Sequence, residues 1–292
     1  MGVISKKLAS RLRKLKKLPS ELRRQAVVDF SKVPRDLQRK VTLDIPGYDP
    51  LHAAYIAAQN FTGLFMEEVT QFPEFDAYWK IYGPATKEYM PDGPPISPLT
   101  KSFFTTWAFF DLRSGKSGET IGTCLLDVAE LLEMDEFMVE TIRQFQDSRM
   151  GIYEHCGVED GRWRLRELVT DKEVRCHNSS GYRGKPGELW YVRLCPPLLN
   201  LVDYHVAVTT PYILIGTTKA DWTAYLNKNL LGSLADTEKA LHDFMKFGKA
   251  AKSRRADRSW SEFVFQAYHH HQYDAIFLAG LPDVKGSRPN AE

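Results

Sequence analysis

Two adjacent pairs of metal-ligand residues, His155-Cys156 and Cys176-His177, stand about twenty residues apart. Thiolate and imidazole in this combination are the ligands of a structural zinc site, and the spacing suits two neighbouring strands. The strand period argues against convergence. Successive residues point to opposite faces, which sends Cys156 inward with Ile152 and Val158, Cys176 inward with Val174, and both histidines outward. The expectation is buried structural thiols, with no metal and no cofactor.

The run Tyr268-His269-His270-His271-Gln272-Tyr273-Asp274 offers three imidazoles and a carboxylate. On a helix the histidines fan out over about 200°, so that His270 with Asp274, or His271 with Asp274, shares a face. His271 falls on the apolar stripe of that helix. A half-buried His271 bonded to Asp274, with Tyr268 beside it, has the composition of a general base. An enzyme of unrecognised type rests on these residues alone; the competing reading is a satisfied core histidine with two solvated neighbours. No G-x-S-x-G, H-E-x-x-H, Walker or G-x-G-x-x-G pattern occurs, and the Ser-Gly-Lys-Ser-Gly loop at 114–118 lacks phosphate-loop spacing.

Cations form the other constellations. Arg162, Arg164 and Arg166 alternate with Trp163 and Leu165, so one face of a strand is cationic, with Arg175, Arg183, Lys185 and Arg193 in neighbouring strands or turns. Glu154, Glu159, Asp160, Glu167, Glu173 and Glu188 can neutralise that face, and a mixed solvated surface is expected. Glu130, Glu133, Asp135 and Glu136 cluster at a helix junction, where acids favour a cap.

The first 24 residues carry nine cations, Lys6, Lys7, Arg11, Arg13, Lys14, Lys16, Lys17, Arg23 and Arg24, against the single acid Glu21. That leaves 30 of the 39 basic and 36 of the 37 acidic residues to the rest of the chain, a net charge of −6 behind an arm of +8. Ile4, Leu8, Leu12 and Leu15 recur at helical spacing among the cations, so the arm is a basic amphipathic helix ending before Pro19. It could bind nucleic-acid phosphates, lie on an anionic membrane surface with Leu8, Leu12 and Leu15 inserted, or meet an acidic protein or the acidic body of its own chain; a solvated extension is the alternative to all of these.

The elements that must position these residues can be read from periodicity. Asp49-Pro50 is an N-cap followed by proline at the first helical position, and Leu51, Ala54, Tyr55, Ala58, Phe61, Phe65 and Val69 trace one helical face. Further helices are expected over 73–82, closed by Gly83, from Ser97-Pro98 to Phe110, from Ile121 to Leu132, and through Met138, Ile142 and Phe145. A proline-rich loop separates the first two of these. From 150 the period changes to that of short strands, at 152–158, 162–168, 173–178, 188–195, 202–208 and 212–215, with Asp160-Gly161 a hairpin signal. Such strands make a small, strongly bent antiparallel sheet or partly open barrel. Helices resume at Thr218, capped with Asp221, and at Asp236, and a last one is expected from Ser259 along Trp260, Phe263, Val264, Ala267, Tyr268, His271 and Leu278. An irregular tail follows over 280–292.

Ser148-Arg-Met-Gly-Ile-Tyr-Glu-His-Cys156, Trp163-Arg-Leu-Arg-Glu-Leu-Val-Thr-Asp171 and Lys185-Pro-Gly-Glu-Leu-Trp-Tyr-Val-Arg-Leu-Cys-Pro196 together resemble a segment of bacterial proteins that often carry a SEC-C zinc motif. The resemblance covers about residues 100–197 and implies a helical lead-in, a small sheet and a cytoplasmic setting, with no defined activity. This chain lacks the Cys-x-Cys and the terminal Cys-His cluster of that motif, so its zinc does not carry over.

With 43% hydrophobic residues, the 292-residue chain can bury a sizeable core, and no apolar run reaches the length of about 18 that spans a bilayer. No signal-peptide segment follows the basic start, the myristoylation pattern is missed by one position, and four cysteines without a C-x-x-C pair fit a reducing compartment. The reading is a cytoplasmic α+β protein, an arm over 1–45 and one globular body over 46–292, helical over 49–147, β over 150–217 and helical again over 218–279. Its expected function is binding, with the arm as the point of attachment.

Overall fold

The computed structural model describes residues 1–17, 47–69, 72–90, 98–198, 201–229, 237–247, 263–264 and 266–282. The protein is α+β, and its contacts divide it into two compact units, Met1–Glu88 with Thr105–Asp147, and Tyr89–Phe104 with Ser148–Glu292. The N-terminal segment does not stand apart from a single body. Its described residues belong to the first unit.

That unit is helical. α1 (Val3–Lys16), α2 (Pro50–Val69), a 3-10 turn (Pro73–Phe75), α3 (Asp76–Tyr89), α5 (Ile121–Val128) and α6 (Glu136–Asp147) build it, with the second half of α4 (Pro98–Phe110). Asp49 caps α2, accepting from the N–H groups of Leu51 and His52 at 3.1 Å each. Thr120 and Thr123 close a reciprocal capping box on α5, and Asp135 accepts from Phe137 and Met138 at the start of α6. Phe145 is the hub of the core: Phe110 stacks on it at 4.3 Å and Tyr55 meets it edge-on at 5.4 Å. α3 runs through Gly83 and Pro84 to Tyr89, beyond the end expected at Gly83. Proline there costs one backbone hydrogen bond, and the turn on either side carries the helix across the gap.

The second unit holds an eight-stranded sheet: β1 (Met150–Glu159), β2 (Arg162–Glu167), β3 (Glu173–Asn178), β4 (Leu189–Cys195), β5 (His205–Ala207), β6 (Tyr212–Ile215), β7 (Tyr268–His271) and β8 (Ile276–Ala279). Five of these strands close on themselves. β1, β2 and β3 form an antiparallel meander, β5 joins β3 in parallel and β4 antiparallel, and β4 pairs back to β1. The start of β4 also takes β6, from which β8 and β7 extend the sheet. Asp160 and Gly161 both have positive φ, 48° and 71°, the two-residue turn that matches strand twist in the β1–β2 hairpin.

Tyr153, Trp163, Leu165, Cys176, Trp190, Val192, Leu194 and Ala207 fill the barrel. Every residue of β4 is buried, because its outward side is covered too: Phe103 and Phe263 lie against Tyr191, and Trp222 of α7 (Lys219–Asn229) meets Phe263 edge-on at 5.5 Å. α7 opens on the expected Thr218–Asp221 box, and α8 (Thr237–Phe247) sends Lys246 to the Ser148 carbonyl at 2.7 Å.

The largest departure lies at 268–279. The helix expected there is a β-hairpin: Gln272 N–H donates to the Ala275 carbonyl at 2.8 Å, and β8 pairs in parallel with β6. The helical spacing of Phe263, Ala267 and His271 is real, but Ile276-Phe277-Leu278 finds a ready edge on β6, and sheet pairing wins over local period. Beyond 282 the expected irregular tail lies outside the described residues.

Candidate functional site

α1 is an amphipathic helix whose apolar face is spent on its own fold. Ile4, Ser5, Leu8, Ala9 and Leu12 are buried, with Leu8 at 0% exposure, against α5 and the 3-10 turn. Its N-terminus is held by Glu119, a buried carboxylate on the loop before α5. Ile4 N–H donates to one oxygen at 2.9 Å, and the other accepts from Ser5 N–H at 2.8 Å and Ser5 Oγ at 2.6 Å; Ser117 Oγ donates as well. Burial alone would raise the Glu119 carboxyl, but these four donors outweigh it and hold the group below its ordinary range. A Cβ at Gly2 would overlap the same carboxylate.

Helical geometry then sorts the cations. At 100° per residue the buried positions occupy an arc of about 140°; Arg11 lies about 20° outside one edge of it, and Lys16, one turn past the last buried residue, falls within it. Both reach carboxylates of the unit: Arg11 pairs with Glu74 at 3.2 Å and lies 4.7 Å over the Phe72 ring, and Lys16 pairs with Glu133 at 2.8 Å. Lys6, Lys7, Arg13, Lys14 and Lys17 fall within about 120° on the opposite side, along roughly 16 Å of helix. All five are exposed, and none forms an ion pair among the described residues. Arg23 and Arg24 lie outside the described residues.

The insertion of Leu8 and Leu12 into lipid, one use foreseen for this helix, is at odds with their burial in the unit. The sequence located the cations; it did not reveal Glu119, whose partner Ser5 is 114 positions away. The acidic junction before α6 supplies Glu133 to Lys16 and Asp135 to the cap.

The histidine run is a strand and not a helix. Tyr268–His271 is β7, with a register shift between Tyr268 and His270. His271 is exposed, and its Nδ1 lies 2.6 Å from Tyr268 Oη. The structure brings His271 to Tyr268 and not to Asp274, which sits in the following turn without a hydrogen bond to either residue among the described residues. His269 and His270 place their Nδ1 atoms 2.7 Å apart.

The paired cysteines and histidines are also rearranged. Tyr153 and His155 point into the barrel in the regular alternation that precedes the bulge in β1, so His155 is buried at 1% exposure while Cys156 faces outward, the reverse of the expected orientation. The alternation misled because Ile152 is buried on the covered outer side, whereas Val158 is 48% exposed. Cys176 is inward as expected. No group of three metal-ligand side chains converges among the described residues.

On the outer face of β2 and β3 the arginines meet carboxylates. Glu173 accepts from Arg164 Nε at 2.6 Å and from Arg166 Nη2 at 2.9 Å, and Arg175 pairs with Asp203. Arg162 stacks 3.9 Å over Tyr204. This is the mixed, internally neutralised surface that the sequence favours. Arg193 is buried in β4, where Nη1 donates to Ser148 Oγ at 3.3 Å, so it serves the interior. No helix among the described residues is long and apolar enough to cross a membrane. No protein-family model, curated protein or solved structure matches the chain.

Proposed function

We propose that this protein is a non-catalytic binding protein that attaches to nucleic-acid phosphates through the outward face of its docked N-terminal helix. The observation that carries the reading is the division of cations on α1: the two on the side of the buried stripe are matched by Glu74 and Glu133, while Lys6, Lys7, Arg13, Lys14 and Lys17 are left together on the solvent side. A matched cation contributes to folding. Five cations on one face, without an ion pair among the described residues, repel each other, and a polyanion relieves that repulsion by releasing its own counterions. An anionic bilayer is the less favoured partner, because burial of Leu8 and Leu12 removes the apolar part of interfacial binding. Four free cysteines fit a cytoplasmic setting.

The test is binding of the full chain to a labelled oligonucleotide across salt. If all five cations engage phosphates of duplex DNA, log affinity should fall against log salt with a slope of about −4 to −5. Replacing the five by glutamine should abolish binding without changing the melting temperature. Tighter capture by anionic vesicles than by nucleic acid, or wild-type affinity in the five-fold variant, would overturn the reading.

A further inference from the structure

Where the loop between β3 and β4 approaches the β7–β8 hairpin, Tyr182 and Phe277 meet at 89°, their ring centroids 6.3 Å apart. Both side chains are half-buried and rest on the barrel core. Beneath Tyr182 lies the fully buried Trp190, its centroid 5.7 Å away, and the far face of Phe277 is closed by the His270 ring, parallel within 4° at 4.3 Å. Two carboxylates border this aromatic corner. Glu188 accepts from Trp190 Nε1 at 3.2 Å and from Tyr182 Oη at 3.3 Å; Asp274 in the hairpin turn has neither a hydrogen bond nor an ion pair among the described residues.

We propose that this corner is a binding site for an organic ammonium ion, held between the ring faces of Tyr182 and Phe277 with Asp274 and Glu188 supplying the opposite charge. Aromatic faces are the negative ends of ring quadrupoles, and two of them at right angles offer a cation two favourable surfaces at once. Elsewhere on this chain, exposed carboxylates such as Glu173 and Glu133 meet arginine or lysine; neither Glu188 nor Asp274 is paired with a cation among the described residues. The remaining ring adds no competing charge, since desolvation, with His269 and His271 alongside, holds the His270 imidazole below its ordinary titration range. The Tyr182 phenol is pushed up to about 12, by burial first and then by Glu188 and Asp274, which marks a negative local potential. None of these residues belongs to α1, so the site stands or falls apart from nucleic-acid binding.

The test follows the Tyr182 and Phe277 ring resonances by NMR in the full chain during titration with choline, with its uncharged isostere 3,3-dimethylbutanol, and with a short peptide carrying one trimethyl-lysine. Saturable shifts are expected with choline or the peptide and not with the isostere, and whichever cation binds tighter assigns a small molecule or a protein tail as the source. Asp274→Asn and Phe277→Leu should each weaken binding roughly tenfold. Phe277 also packs on the barrel core, and an unchanged melting temperature separates lost binding from lost fold. Equal binding of choline and its isostere, no saturable shift with any probe, or wild-type affinity in folded Asp274→Asn would overturn the proposal.

Discussion

Ser5 gives both its backbone N–H and its hydroxyl to one oxygen of Glu119, at 2.8 and 2.6 Å, across 114 positions of sequence. This contact turns a basic amphipathic segment into a fixed part of the helical unit, and with it the cations acquire a defined direction.

Replacing Glu119 by alanine leaves two N–H groups and a hydroxyl of α1 without their acceptor. The expected loss is about 2 kcal/mol of stability, concentrated at the helix, and hydrogen exchange over residues 4–12 should accelerate. Because the folded-state carboxyl is held below its unfolded value, its contribution is complete above the unfolded pKa of about 4.3 and disappears as pH falls through the lower folded value. Glu119→Gln should flatten that part of the acid-denaturation profile.

Leu8 and Lys14 lie on opposite faces of the same helix, one buried at 0% exposure and the other exposed. Leu8→Ala should cost about 3 kcal/mol in a denaturant titration. Lys14→Gln should leave stability within about 0.5 kcal/mol and reduce the salt slope of nucleic-acid binding by about one. A free arm would show no penalty at Leu8.

His155 is buried in the barrel, and desolvation, partly offset by Glu188 and backbone hydrogen bonds, lowers its titration; His205, also lowered by burial, adds to the same trend. An unfolded histidine takes up a proton near pH 6.5 that the folded one refuses. Stability should therefore be full above that pH and fall as the solution is acidified below it. Comparing unfolding free energies at pH 7.5 and 5.5, His155→Gln should show a shallower loss than the wild type.

The four thiols should react unequally with iodoacetamide at pH 8. Burial pushes Cys124 and Cys176 up to about 12, and Cys195 is buried, whereas Cys156, raised less by its partial burial, faces outward at the β1 bulge. One fast modification is expected in the native protein and four in denaturant. In Glu119→Ala a second fast site should appear at Cys124, whose thiol contacts Ser5.

Much of this protein is determined by the sequence alone, wherever a local rule suffices. Asp49, Thr218 and the repeating apolar positions of 51–69 mark their helices because capping and amphipathic burial act within a few residues. The strands between 150 and 215 are marked by a change of period and by Asp160-Gly161, and the cations of residues 6–17 by composition. Tertiary structure decided the rest. Closure of the barrel depends on β5 lying parallel to β3 and on β4 pairing with β1, choices between distant strands that no local pattern encodes. His155 and Cys156 take the faces opposite to those expected because Ile152, whose apolar character set the phase, is buried on the covered outer side of β1 while Tyr153 fills the barrel, a distinction that a period of two does not carry. The free edge of β6 drew 276–279 into the sheet and opened the histidine cluster. Glu119, Tyr182 and Phe277 look unremarkable in the sequence, because what distinguishes them is the company that long-range packing gives them.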